Sequence, residues 1–313
     1  MTSQKYPVLH DAVDGHREII SGRAGPLSLY SAGAGDPILL LHSINAAASV
    51  AEMAPLFDHL RNSRRVFAVD LPGFGFSDRS PRRYDINLYV NAILDVLDHI
   101  AEQTDATEVD AVALSLTCEF LARAAARQPR RIRSLTLITP TGFRAGSEQL
   151  REPEGSTRFM PALNAILTFA LWRSALYRAL VSPRSIRYFL RRSFGSRDVD
   201  EGLARYCDIT THQPGAEHAP YAFLSGALFS KDIRTIYESL MMPVFMPHGT
   251  RGDFSDFSAA DWTQERTNWR VTPYASGALP QFECRTQLCA DLDHFLSDAA
   301  AGRQASMLAG RHS

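Results

Sequence analysis

The sequence predicts an α/β fold: a mostly parallel sheet with helices on both faces, interrupted by a helical insertion. Three observations predict it. Short aliphatic runs alternate with helical periods at both ends of the chain, the order that builds parallel strands joined by crossover helices. Between about Thr141 and Leu240 the helical periods continue without a strand signal. The length of 313 residues exceeds what one compact core usually takes and suits an α/β domain carrying an insertion. The expected division is a core of residues 1–140 and 241–313 and a cap of residues 141–240.

The first strand expected is Ile38 to Leu41, ending at His42, followed by Val50, Met53, Ala54, Phe57 and Leu60 at helical spacing. Arg65 to Val69 is the next strand and ends at Asp70. Ile86, Val90, Ile93, Leu97 and Ile100 then form a helical stripe, with Asp85 as its N-cap. Val109 to Leu114 is an apolar run, and Leu135 to Ile138 is another. In the insertion, Leu163, Ile166, Leu167, Ala170 and Leu171 mark an amphipathic helix. Strand signals resume at Pro243 to Met246 and Trp269 to Val271, before a last helix near Cys289 to Leu296 and a frayed tail.

Composition narrows the function classes. A formal net charge of −1 provides no global field to recruit nucleic acid. Cys118, Cys207, Cys284 and Cys289 show no CxxC spacing, so reduced thiols and a cytoplasmic location are expected. The apolar stretch from Phe159 to Trp172 is too short for a bilayer-spanning helix, which takes ~20 residues. No metal or organic cofactor is implied.

Ser115 is the residue on which function turns. It follows the apolar run 109–114 and precedes an Ala-rich helical pattern, so it sits at a strand-to-helix turn with its hydroxyl at a helix N-terminus. That placement serves nucleophilic catalysis only where a base takes the hydroxyl proton.

Five segments together resemble the α/β-hydrolase fold family over roughly Pro37 to Leu296. LLLHS resembles the family's strand-plus-HG segment, with Ser43 at the glycine. DLPGFGFSD (Asp70 to Asp78) resembles its DxxGxGxS turn, and ALSLTC stands at GxSxGG. MPHGTRGDFSDF resembles the acid-bearing HGxxD segment, and GALPQFE the turn that carries the catalytic histidine. HSxNAAAS, ALSLxCEF and GALPxFE are further similar to a divergent proteobacterial subgroup lacking the usual histidine. The resemblance implies an eight-stranded, mostly parallel sheet, Ser115 as nucleophile, and the backbone amides of Ile44 and Leu116 as oxyanion hole. It favours Asp253 as the acid, with Asp256 in reserve. At the histidine position stands Ala278.

The departures have physical consequences. Thr117 replaces an elbow glycine, so either the turn opens or its hydroxyl occupies a pocket. Loss of one oxyanion donor costs ~10²–10³ in rate, and a triad stripped of a member keeps only about 10³–10⁴ over water. His248 and His218 are the two candidates to replace the missing imidazole. His42 and Ser43 stand beside the expected substrate site. Phe159, Leu163, Phe169 and Trp172 are candidate lining from the cap. Arg173, Arg178, Arg184, Arg187, Arg191 and Arg192 admit two readings: a patch that docks on anionic membrane, or a solvated face paired with acids elsewhere. Two function classes stand: a serine hydrolase acting on an apolar acyl or ester-type small molecule, and a non-hydrolytic descendant that kept the pocket for binding.

Overall fold

Strand β5 (Val109–Leu114) shows how the sheet divides the core. Its side chains alternate, and all six positions are buried, because helices cover both faces. Val109, Ala111 and Ala113 belong to one apolar cluster, Val112 and Leu114 to the other. In a computed structural model, which describes residues 6–146 and 151–309, the same alternation holds in β3 (Pro37–Leu41) and β4 (Arg65–Asp70).

Among the described residues one eight-stranded sheet has the order β1-β2-β4-β3-β5-β6-β7-β8. Strands β6 (Ile132–Ile138), β7 (Val244–Gly249) and β8 (Trp269–Tyr274) complete the parallel part. The hairpin of β1 (His16–Gly22) and β2 (Gly25–Ala32) adds antiparallel strands at one edge through the β2–β4 pairing. The aliphatic runs of the sequence did not point to this hairpin. Most of β1 is exposed, so it carries no such run, and β2 shows its alternation only through Leu27 and Leu29.

Helices α2 (Ile86–Thr104) and α3 (Thr117–Arg127) cover one face, and Tyr89 of α2 stacks on Phe120 of α3 at 5.0 Å. Asp85 caps α2 by accepting the Leu88 N–H at 3.0 Å. The other face is covered by α1 (Ala54–Leu60) and the C-terminal helix.

Between β6 and β7 run α4 (Pro161–Thr168), α5 (Arg173–Leu180), α6 (Pro183–Phe194), α7 (Glu201–Thr211), α8 (His218–Leu224) and α9 (Ile233–Glu238). They are not a detached lid. Ile233 and Tyr237 of α9 join the α2–α3 core, while Leu203, Tyr206 and Cys207 of α7 join the opposite one. The helix expected through Leu171 stops at Thr168, because Phe169 turns extended (φ −62°, ψ 125°), and no residue of α4 is buried. After the short α10 (Pro280–Glu283), α11 runs from Arg285 to Ala309, so the segment expected to fray is helical up to that point. No described helix is long and apolar enough to cross a membrane.

Candidate active site

The turn from β5 into α3 puts Ser115 in the left-handed region, with φ 56°. For a residue with a Cβ that conformation costs about 1–3 kcal/mol and persists only where the surroundings impose it. Here the Ser115 N–H donates to Ile138 O at 2.9 Å and its carbonyl accepts from the Cys118 N–H at 3.1 Å. Thr117 fits the elbow without opening it: the side chain is fully buried and its hydroxyl donates to His42 O at 2.6 Å. The extra side chain therefore pins the loop after β3 to the elbow. Cys118 is a buried thiol donating towards Ala113 O at 3.3 Å, and burial pushes its pKa well up, away from a thiolate.

Glu52 organises the loop after β3. Its buried carboxyl accepts the Ser43 N–H at 2.8 Å, the Ser43 hydroxyl at 3.0 Å and the Asn45 side-chain amide at 2.9 Å. Burial raises the Glu52 pKa, and these donors oppose that rise. Ser43 thus uses its hydroxyl and amide within the loop. Ile44, next in the loop, and Leu116, after Ser115, are buried residues, and neither amide has an acceptor among the described residues. Leu116 stands at the N-cap of α3, where an N–H has no intrahelical acceptor, so both amides are left with a hydrogen bond to donate.

His42 is structural by its bonding. Its Nε2 accepts the Leu71 N–H at 2.9 Å, which leaves the proton on Nδ1 to donate to Ser43 O at 2.6 Å. The following turn has positive φ at Gly73 (92°) and Gly75 (50°), and a Cβ at Gly75 would lie 1.9 Å from Asp70 Cγ. Only glycine fits there.

Ser115 lines a cavity of about 460 Å³ together with Glu119, Thr139, Thr141, Arg158 and Ser230, with Asp253 and Asp256 also on its wall. Asp253 is exposed and ion-paired with Arg192 of α6. Asp256 accepts from the Ser258 amide and hydroxyl, which hold its pKa down, and faces Arg144 at 3.7 Å. His248 lines a different cavity; its ring packs on Phe257 at 4.2 Å, and burial lowers its pKa. His218 lines a third, between the cap and the start of α2. Phe159 borders that third cavity, and neither Leu163, Phe169 nor Trp172 lines the Ser115 cavity. Phe169 and Trp172 pack on each other instead, at 4.6 Å. No histidine lines the Ser115 cavity among the described residues.

Ala278 is buried under the end of α6, donating its N–H to Ser193 O at 2.6 Å. A Cβ on the preceding Gly277 would lie 2.2 Å from that same carbonyl, so backbone packs on backbone where the cap meets this turn.

The residue that sequence reasoning missed on the Ser115 wall is Glu119, four positions after the serine. A lone acid in an Ala-rich helix with apolar neighbours was the available signal. Glu119 is 1% exposed, and burial raises its pKa. Its carboxylate accepts from the Thr141 hydroxyl and, at 3.1 Å, from the Ser230 N–H.

The sequence pattern of the alpha/beta hydrolase fold matches residues 36–276. The chain belongs to that family. This α/β-hydrolase chain is 30% identical over 128 residues to the 2-hydroxymuconate semialdehyde hydrolase of Pseudomonas sp. (strain CF600), covering 40% of this chain and 44% of that one. It is also 30% identical over 117 residues to the 2-hydroxy-6-oxo-2,4-heptadienoate hydrolase of Pseudomonas putida, covering 37% and 41%. The matched segments span less than half the length of these curated relatives. Among solved structures, a meta-cleavage product hydrolase from Pseudomonas fluorescens superposes with a TM-score of 0.68 at 21% identity, over 90% of this chain and 98% of that one. The enol-lactonase of Burkholderia xenovorans gives a TM-score of 0.68 at 17% identity, over 90% and 100%. These structural likenesses show the fold.

Proposed function

We propose that this chain is a serine hydrolase of small carbonyl compounds, with Ser115 as nucleophile and the Ile44 and Leu116 amides as oxyanion hole. The observation that carries the reading is a serine held at φ 56°, with the amides of two buried residues, Ile44 and Leu116, lacking an acceptor among the described residues. Donors aimed at the developing oxyanion are the larger part of such catalysis. The chain's relatives are named for hydrolysis of a semialdehyde and of an oxo-dienoate. Arg158 on the cavity wall, with no side-chain acceptor among the described residues, suits a substrate that also carries a carboxylate. Asp253 shares that wall, whereas His248 and His218 border other cavities and are not enlisted. The test is labelling by a fluorophosphonate with Ser115→Ala as control. Labelling is expected in the native chain and absent in the variant. A folded native chain that stays unlabelled while binding oxo acids would make this a binding protein.

A second reading concerns the cap surface and coexists with the first: it docks on anionic lipid. Leu171 is 82% exposed, Ile166 56% and Phe169 50%, a concentration of apolar surface at the end of α4 and the link to α5 that faces water. Arg173, Arg178, Arg184 and Arg191 lie on α5 and α6, while Arg187 is paired with Glu201. Sedimentation with phosphatidylserine vesicles is expected to exceed that with neutral vesicles several-fold, and Leu171→Asp is expected to reduce it. Equal sedimentation with both vesicle types sinks the reading.

A further inference from the structure

We propose that the Glu119 carboxylate is the proton acceptor for Ser115, one helical turn along α3 in the wall of the same cavity. The inference rests on the hydrolase reading above and names the base within it.

Four observations converge on Glu119. It shares the cavity with Ser115, where no histidine does among the described residues. In a helix, side chains lean towards the N-terminus, so a residue four positions on reaches back towards the turn that holds the nucleophile. The carboxylate is held in place by the Thr141 hydroxyl and the Ser230 amide, one donor on each oxygen, which leaves further lone pairs on both. Finally, the Thr139 hydroxyl is buried without a hydrogen-bond partner and lines this cavity, as does Ser230, whose side chain lies beside the carboxylate. The Thr139 hydroxyl thus has a hydrogen bond to offer a water or a substrate oxygen in that cavity.

The charged surroundings set the carboxylate's affinity for protons. Burial raises it, while Thr141, Ser230 and Arg123 on the next turn of α3 lower it. Cys118 and, on α9, Tyr237 are the other titratable groups that face it. Arg123 is itself paired with Asp232, and Arg144, Arg158, Asp253 and Asp256 stand on the cavity wall. The upward direction makes the carboxylate a stronger base than an exposed glutamate.

In the first step the Ser115 Oγ bonds to the substrate carbonyl carbon and the carbonyl π electrons move to its oxygen. The Oγ proton passes to Glu119, directly or through one water. Collapse breaks the bond to the leaving group, which takes that proton. In the second step a water oxygen bonds to the acyl carbon, its proton passes to Glu119, and Ser115 Oγ leaves and recovers it.

The test is the rate of fluorophosphonate labelling as a function of pH. In the native chain the rate is expected to fall on acidification as Glu119 takes up a proton. Glu119→Gln keeps the shape and an acceptor for Thr141, and is expected to label at least about 100-fold more slowly, with that acid limb gone. Thr141→Val removes a donor to the ionised carboxylate and is expected to move the limb to higher pH, with Thr141→Ser restoring it. A merely structural Glu119 would move the melting temperature and leave the limb in place. Native-like labelling and pH dependence in Glu119→Gln, with Ser115→Ala unlabelled, overturns the assignment and leaves the hydrolase reading standing. Absence of labelling in the folded native chain overturns both.

Discussion

Replacing Asp232 with alanine is expected to lower the unfolding free energy by about 3–5 kcal/mol, the usual cost of stranding one member of a buried ion pair. Asp232 precedes α9 and Arg123 lies on α3; their side chains are 4% and 5% exposed. One Asp232 oxygen accepts from the Arg123 guanidinium, and the other accepts the Gly155 N–H at 2.8 Å. The Arg123 Nε already lacks a partner, so removal of the carboxylate leaves a buried guanidinium with its charge uncompensated. The same change frees the turn at Gly155 from the start of α9, loosening the cap where it meets α3, the helix that follows Ser115 and carries Glu119. Urea unfolding of Asp232→Ala measures the loss. The double replacement Arg123→Met with Asp232→Leu is expected to recover most of it, because an apolar pair of similar volume leaves no charge buried. A loss below about 1 kcal/mol would mean that water reaches the pair, since exposed pairs are worth no more than that.

Acid is expected to destabilise the fold through His42, by about 2–3 kcal/mol between pH 7.5 and pH 4.5. The ring is fully buried, its edge lies against Phe74 at 5.4 Å, and its Nε2 must stay unprotonated to accept from Leu71. Burial pulls its pKa down from 6.5 to about 4. The unfolded chain takes up the proton below about pH 6.5, while the folded chain resists until about pH 4. The stabilisation is therefore complete above pH 6.5 and drains away as pH falls through that window. Each pKa unit corresponds to about 1.4 kcal/mol, which gives the size of the effect. His42→Gln has no group titrating there. Unfolding curves of the two chains at both pH values isolate the contribution as the difference in slope. Equal slopes would show that the imidazole reaches solvent in the folded state.

The two predictions bear on the same architecture from opposite sides of the elbow. His42 ties the loop that carries Ile44 to the end of β4, and Thr117 ties that loop to α3. Arg123 and Glu119 tie α3 to the cap. The strained turn at Ser115 is thus clamped by hydrogen bonds on both flanks, which is the condition for a left-handed serine to persist.

Much of this was legible in the chain itself. A strand buried on both faces reads as a near-continuous aliphatic run, so Ile38–Leu41 and Val109–Leu114, the latter interrupted by Asp110 alone, announced themselves, and the residues punctuating their ends located the loops. Ser115 was legible for the same reason: a polar residue between a buried strand and a helix has few other places to be. Strand β1 was not, because an edge strand exposed on most of its length carries no apolar pattern to read. The cap was read only coarsely. Its α4 carries a helical apolar period and yet buries none of it, so periodicity marked the helix but not the surface it would seek. The candidates from that stretch, Phe159, Leu163, Phe169 and Trp172, therefore stand apart from the Ser115 cavity.

What the sequence determined by itself is local and periodic: the parallel sheet, the elbow serine, the glycine turn after β4, and the alanine at position 278. These follow from which side chains must be buried and which backbone angles a residue type tolerates. What only the tertiary structure decided is which polar groups share a cavity. Glu119, Thr141 and Ser230 are separated by up to 111 positions along the chain, and no spacing rule joins them. They meet because α3 is buried beneath the returning cap, where a carboxylate shut away from water must find its donors in other segments.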